Sequence, residues 1–211
     1  MQVRIDLNGN VGESFGSWTA GEDGSMLRVV TTANVACGFH AGDPTAMHGA
    51  CLVAVQRRLR IGALVGYRDL HGFGERYLAI DPEDLLNEVI YQLGALDGIA
   101  LSVGGKLACV RLAGALGEAV SQNPEQANAV IDAIKAYDDS LTLIVKQGSW
   151  FAHLADTSAL ETVVEADATT PQLVEEALVA VRSGAVGSLH LGPETMEVRQ
   201  YLNEIGVTVG S

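Results

Sequence analysis

All five prolines of this chain follow a residue that can start a helix. Asp43-Pro44, Asp81-Pro82, Asn123-Pro124, Thr170-Pro171 and Gly192-Pro193 each read as an N-cap followed by the first helical position. There the missing N–H of proline costs nothing and its fixed φ suits the helix. Asn123-Pro124-Glu125-Gln126 also has the form of a capping box, with Gln126 able to reach back. Between the helix starts lie β-rich runs at residues 2–7, 29–36, 60–65, 106–111, 141–147, 161–165 and 186–191. Leu141-Thr142-Leu143-Ile144-Val145 is nearly continuous in apolar residues, as a strand covered on both faces should be. Helical periodicity is clearest over residues 82–101, with Leu85, Val89, Leu93 and Leu96 on one side. About seven strand–helix alternations predict an α/β architecture with parallel strands, either an open sheet or a barrel.

No linker or low-complexity stretch divides the 211 residues, so one domain over residues 1–211 is expected. A formal net charge of −13 argues against nucleic acid and against anionic membrane surfaces, which reward Lys and Arg. No signal-peptide pattern and no bilayer-spanning apolar run is present, and the three cysteines form no CxxC motif. A cytoplasmic protein with reduced thiols is the expectation. Cys51 and Cys109 read as core residues, and Cys37, in a turn, as the thiol to test for reactivity.

The run from Asn34 to Pro44 passes from a β-branched strand through a glycine-rich turn into a helix. Strand ends of this kind carry the ligand sites of α/β folds. Polar residues collect at the other expected strand ends too: Asp6, Asn8, Asn10 and Glu13; Asn34, Cys37, His40 and Asp43; Tyr67, Arg68 and Asp69; Arg111; Lys146; Glu165 and Asp167; His190. In a parallel barrel these ends meet at one mouth, with Asp6, Asn34 and His40 facing one another across it. Asp6 points inward if Ile5 and Leu7 face the helices. His40, at a helix N-terminus, is expected to have a lowered pKa and to act as a neutral base or metal ligand, or else to satisfy a turn carbonyl. Asp43 either pairs with it or only caps the helix. The candidate catalytic residues are Asp6, His40 and Asp43. The candidate substrate-binding residues are Asn8, Asn10, Glu13, Asn34, Cys37, Tyr67, Arg111 and Asp167. Gly72-Phe73-Gly74 is a loop and not a phosphate-binding signature, since GxGxxG and GxxxxGK[ST] are both absent.

Several of these words together resemble the LamB/YcsF family, whose characterised members are the A subunit of bacterial 5-oxoprolinase. They are Ile5-Asp6-Leu7-Asn8 with Gly12-Glu13, the whole of Thr32 to Pro44, Gly66-Tyr67, Asp69-Leu70 with Gly72-Phe73-Gly74, and Tyr91-Gln92-Leu93-Gly94-Ala95-Leu96. The resemblance implies a TIM-like (β/α) barrel of about seven parallel strands, related to the polysaccharide deacetylases. It also implies ATP-dependent opening of 5-oxoproline to glutamate, together with separate B and C subunits.

The chain departs from the family's words in the pocket. A family aspartate is Asn10 here, and family histidines are replaced by Leu64, Ala113 and Gly192. These changes predict a more apolar pocket with no metal and no intrinsic cofactor, ATP being needed only for the parent reaction. The leading expectation is therefore a divergent enzyme acting on a small cyclic or carbonyl-containing molecule by Asp/His acid–base chemistry, through lactam or ester hydrolysis, cyclisation or isomerisation. The alternatives are a true 5-oxoprolinase A subunit with B and C partners, and a non-catalytic binding or regulatory subunit. A homo-oligomer is compatible with each.

Overall fold

The computed structural model describes residues 4–210. Gln2 and Val3 of the first expected strand lie outside the described residues. The elements follow in the order β1 (Arg4–Val11), α1 (Asp23–Val29), β2 (Thr32–Ala36), α2 (Pro44–Arg57), β3 (Arg60–Val65), α3 (Pro82–Ser102), β4 (Leu107–Leu112), α4 (Gly114–Ala119) and α5 (Pro124–Asp138). Then come β5 (Thr142–Lys146), α6 (Trp150–Thr157), β6 (Thr162–Ala168), α7 (Pro171–Ser183), β7 (Ser188–Leu191), α8 (Val198–Glu204) and the short β8 (Thr208–Val209).

The strands pair in parallel in the order β2-β3-β4-β5-β6-β7-β1, and a β1–β2 pairing closes the ring into a seven-stranded barrel. β8 adds to the first residues of β1, opposite Arg4 and Ile5. This is the TIM-like α/β barrel, with helices packed around the strands. Alternation along each strand separates two layers. Ile5, Leu7, Val35, Val65, Val110, Leu143, Val145 and Leu189 belong to the apolar layer shared with helix residues such as Val89, Leu93, Val130 and Ile134. Their alternating neighbours, among them Asp6, Asn8, Asn34 and His190, line the inside.

Prolines open four of the helices. Asp43, Asp81, Asn123 and Thr170 accept hydrogen bonds from first-turn amides of α2, α3, α5 and α7. Pro193 begins a single 3₁₀ turn instead of a longer helix. Gln126 does not reach back to complete a capping box. Its amide nitrogen donates to the Leu78 carbonyl and its oxygen accepts from the Tyr67 hydroxyl. Residues 29–31, expected in the second strand, instead end α1 and turn into β2. β1 runs four residues further than expected, to Val11. That extension carries Asn8 and Asn10 on the strand itself, at fixed register with β2.

Candidate functional site

Two side-chain bonds join strands that are not neighbours, so they cross the barrel interior. Asn8 on β1 donates from Nδ2 to Glu165 Oε2 on β6 at 3.1 Å. Arg111 on β4 grips the same carboxylate through Nε at 3.1 and 3.0 Å and through an Nη2 contact of 2.9 Å. Asn8 is fully buried and is the hub of the interior. Its Nδ2 also donates to Ser188 Oγ at 2.8 Å. Its Oδ1 accepts from Asn34 Nδ2 at 2.8 Å and meets His190 Nδ1 at 2.9 Å. Burial, followed by the positive charge of Arg111, holds the His190 imidazole well below its ordinary pKa. It is therefore neutral at physiological pH.

Asp6 lies lower in the barrel, opposite Ser188, the first residue of β7. It accepts from Thr31 Oγ1 (2.6 Å), Thr32 Oγ1 (2.7 Å) and Ser188 Oγ (2.6 Å). Asn10, four residues further along β1, is level with Asn34, so Asp6 sits about 13 Å below the mouth at the rise of an extended strand.

Glu13 follows β1 at the mouth. Burial first, and then the nearby Asp23 carboxylate, raise its pKa to about 7. Arg111 and a side-chain hydrogen bond from Asn10 pull the other way, and Glu75 adds a small upward push. A carboxyl poised near neutrality can give or take a proton at physiological pH. A cleft of about 420 Å³ opens at the ends of β4, β5 and β6, with Arg111, Glu165, Lys146, Glu118 and Ser149 on its walls. Arg111 is engaged by Glu165, whereas the Lys146 ammonium has no carboxylate partner among the described residues.

Other candidates share no hydrogen bond with this network among the described residues. His40 is almost fully buried, and both of its ring nitrogens lack a partner. Its pKa falls to about 4, and burial is the cause. It packs against the edge of Phe73 and under two glycines. A Cβ on Gly66 would lie 2.7 Å from His40 Nδ1, and one on Gly74 would lie 2.7 Å from His40 Cβ. Gly74 also adopts a φ of +75°, so the close approach and the backbone both call for glycine. Asp69 and Arg76 close this turn with an ion pair.

Asp43 caps α2 through Thr45 N and Ala46 N, both at 2.8 Å, and takes Gly16 N at 2.7 Å. The amides of Gly16 and Ala46 hold its pKa below the usual carboxylate range. Cys37 is buried in the apolar layer, its Sγ set against the Val35 carbonyl, and burial pushes its thiol pKa far up. That environment protects a thiol from reaction. Tyr67 is fully buried, and burial raises its pKa to about 12. Asp167 turns back to its own loop, accepting from Thr169 N and Oγ1.

The interior thus joins Asn8, Asn34 and Arg111, with Asp6 below them and Asn10 and Glu13 above. Among the described residues no hydrogen bond joins Asp6, Asn34 and His40 to one another. His190 and Glu165, which the sequence places only at strand ends, are central. Leu64, Ala113 and Gly192 stand where the family has histidines, while His190 brings an imidazole into the interior from β7. Its signal is the alternation Ser188-Leu189-His190-Leu191, which puts Ser188 and His190 on one face.

These features define a polar-centred (β/α) barrel, and comparison with known proteins places it in a family. The model of the LamB/YcsF family matches residues 5–190. The 5-oxoprolinase A subunit of Mycobacterium ulcerans (strain Agy99) is 47% identical over 183 residues, 86% of this chain and 73% of the relative. The corresponding protein of Photorhabdus laumondii subsp. laumondii is 44% identical over 178 residues, 84% of this chain and 71% of the relative. The crystal structure of a lactam utilization protein from Thermus thermophilus superimposes with a TM-score of 0.92 at 31% identity, covering 98% of this chain and 99% of that one. The chain belongs to the LamB/YcsF family. Among the described residues no helix is long and apolar enough to cross a membrane.

Proposed function

We propose that this protein opens a small lactam, 5-oxoproline, to glutamate as the A-type subunit of an ATP-dependent enzyme, acting with separate B and C subunits in the cytoplasm. The observation that carries this reading is Glu13, with its pKa raised to about 7 near Arg111 and Asn10 at the barrel mouth. The names of the relatives and of the solved neighbour point to the same substrate class.

Ring opening breaks the C–N bond of the lactam. The oxygen of water goes to the carbonyl carbon, and a proton must reach the ring nitrogen. A carboxyl that is half protonated at neutral pH can deliver that proton and recover it between turnovers. Lys146, free of a carboxylate partner among the described residues, suits the negatively charged end of a lactam acid. Asn10 and Asn34 each keep a buried carbonyl oxygen without a partner, and that of Asn34 faces the Gly62 backbone.

The test is glutamate formation from 5-oxoproline and ATP with B and C subunits supplied. Formation that depends on this chain is expected. No glutamate above background would sink the proposal, and equal yield without ATP would return the reaction to the simpler hydrolytic class.

A further inference from the structure

The hydrogen-bond directions in the barrel interior can be read off one by one, and they end at His190. The Asp6 carboxylate can only accept, so the Ser188 hydroxyl spends its proton on Asp6 Oδ2. Ser188 Oγ must then accept from Asn8, which places the amide nitrogen of Asn8 on that side. Glu165, held as an acceptor by Arg111, takes the second proton of the same nitrogen. The carbonyl oxygen of Asn8 therefore faces Asn34 Nδ2 and His190 Nδ1. An amide oxygen has no proton to give, so His190 Nδ1 must be the donor. The lone pair is left on Nε2, which has no partner and is not among the sealed, orphaned atoms of the described residues.

We propose that His190 Nε2 is the proton acceptor of the site and that Asn8 is the positioning residue that holds the ring in its Nδ1–H tautomer. The catalytic half rests on the function proposed above; the tautomer does not. In the water-addition step, driven by ATP hydrolysis to ADP and phosphate in the assembled complex, Nε2 takes a proton from the attacking water as the water oxygen bonds to the ring carbonyl carbon. Glu13 gives its proton to the ring nitrogen as the C–N bond breaks, and the proton on His190 then restores Glu13. A neutral amide as orienting group, in place of a carboxylate, does not favour imidazolium over imidazole. The charged groups around His190 act in both directions: Arg111 on β4 and Lys146 on β5 oppose its protonation, while Glu165 and Asp167 on β6, Asp6 on β1 and Glu13 at the mouth favour it.

Long-range ¹H–¹⁵N NMR of the full chain reads the tautomer directly, with His190 assigned by the signal lost in His190→Asn. The expected result at pH 7.5 is a neutral ring protonated at Nδ1. A ring protonated at Nε2, or at both nitrogens, overturns the assignment. His190→Asn keeps an N–H for Asn8 but lacks the base. In the reconstituted enzyme its kcat should fall by about 10²–10⁴-fold with KM unchanged, and full turnover in this variant removes the base role. Asn8→Asp keeps an acceptor for Nδ1–H and adds a negative charge. The acid limb of the pH profile should move up by about one unit or more, and an unmoved limb removes the positioning role of Asn8. Absence of wild-type turnover would sink the proposed function and the base role together, while the NMR result would still decide the tautomer.

Discussion

At the lower end of the barrel interior both oxygens of the Asp6 carboxylate are engaged by hydroxyls from β7 and from the start of β2. At the mouth, Asn10 and Asn34 each keep a buried oxygen without a partner, and Glu13 sits where its charge is disfavoured. The contrast shows how to read buried polar residues in a barrel. A carboxylate whose acceptor sites are filled by its own chain is scaffold. Atoms left short of partners are a cost the fold carries, because an unmet buried group costs about 1–3 kcal/mol.

Substitutions can sharpen or break this contrast. The largest effect is expected at the mouth, where Glu13→Gln should lower kcat by about 10²–10⁴-fold. The same variant has a stability signature. Glu13 has a folded pKa of about 7 against an ordinary 4.5, so it keeps a proton that the unfolded chain releases. Wild-type stability therefore falls as pH rises through this window. Glutamine cannot ionise, so above pH 7 the variant should be the more stable by about 1–3 kcal/mol. Equal denaturation midpoints at pH 8 would show that Glu13 is not strained by charge.

Next comes the lower end. Asp6→Ala leaves the Thr32 and Ser188 hydroxyls without an acceptor, while Thr31 keeps the Leu7 carbonyl, and should cost about 2–3 kcal/mol in urea unfolding. A loss within the noise would mean that Asp6 is not scaffold, and the contrast would fail. His40 sits outside both regions, under the Gly66 and Gly74 backbone. It stays neutral when folded down to about pH 4, whereas its ordinary pKa is 6.5. The unfolded chain takes up the proton first, so stability is lost as pH falls from 6.5 towards 4. His40→Leu removes that loss and two orphaned nitrogens. At pH 5 it should gain about 2 kcal/mol over wild type, and less at pH 8. Thermal scans at the two pH values check this, and a gain that ignores pH would mean that His40 is not the titrating group. The smallest effect belongs to Asp43→Ala, where loss of the α2 cap should cost about 1 kcal/mol and leave turnover intact. A collapse of turnover would restore Asp43 to the catalytic set.

Most of the scaffold was legible because it is written locally. A cap residue before each proline marks α2, α3, α5 and α7, and the β3 run at residues 60–65 has the observed bounds. α1 and α4, of seven and six residues, lack a proline start and are too short for periodicity to declare them. The site was legible only as a set of strand ends. Glu165 and His190 gain their roles from partners 157 and 182 residues away at Asn8, and no local pattern encodes such a meeting. Cys37 and Tyr67 look functional from their place in turns, but their side chains face the packed layer. The inward direction of Asp6 follows from alternation with Ile5 and Leu7, and strand periodicity is short-ranged enough to support it. How deep it lies is set by the extension of β1 to Val11.

The seam at β1 has a consequence for how the chain is made. β1 is translated before the other described strands, yet its partners include β7 and β8, far along the sequence. Contacts of such long separation form late and slowly. Asn8 finds neither Ser188 nor His190 until those residues have emerged from the ribosome. A chain that stops before residue 188 lacks β7, so the ring cannot close between β6 and β1 and unpaired strand edges are left exposed to aggregation and proteolysis.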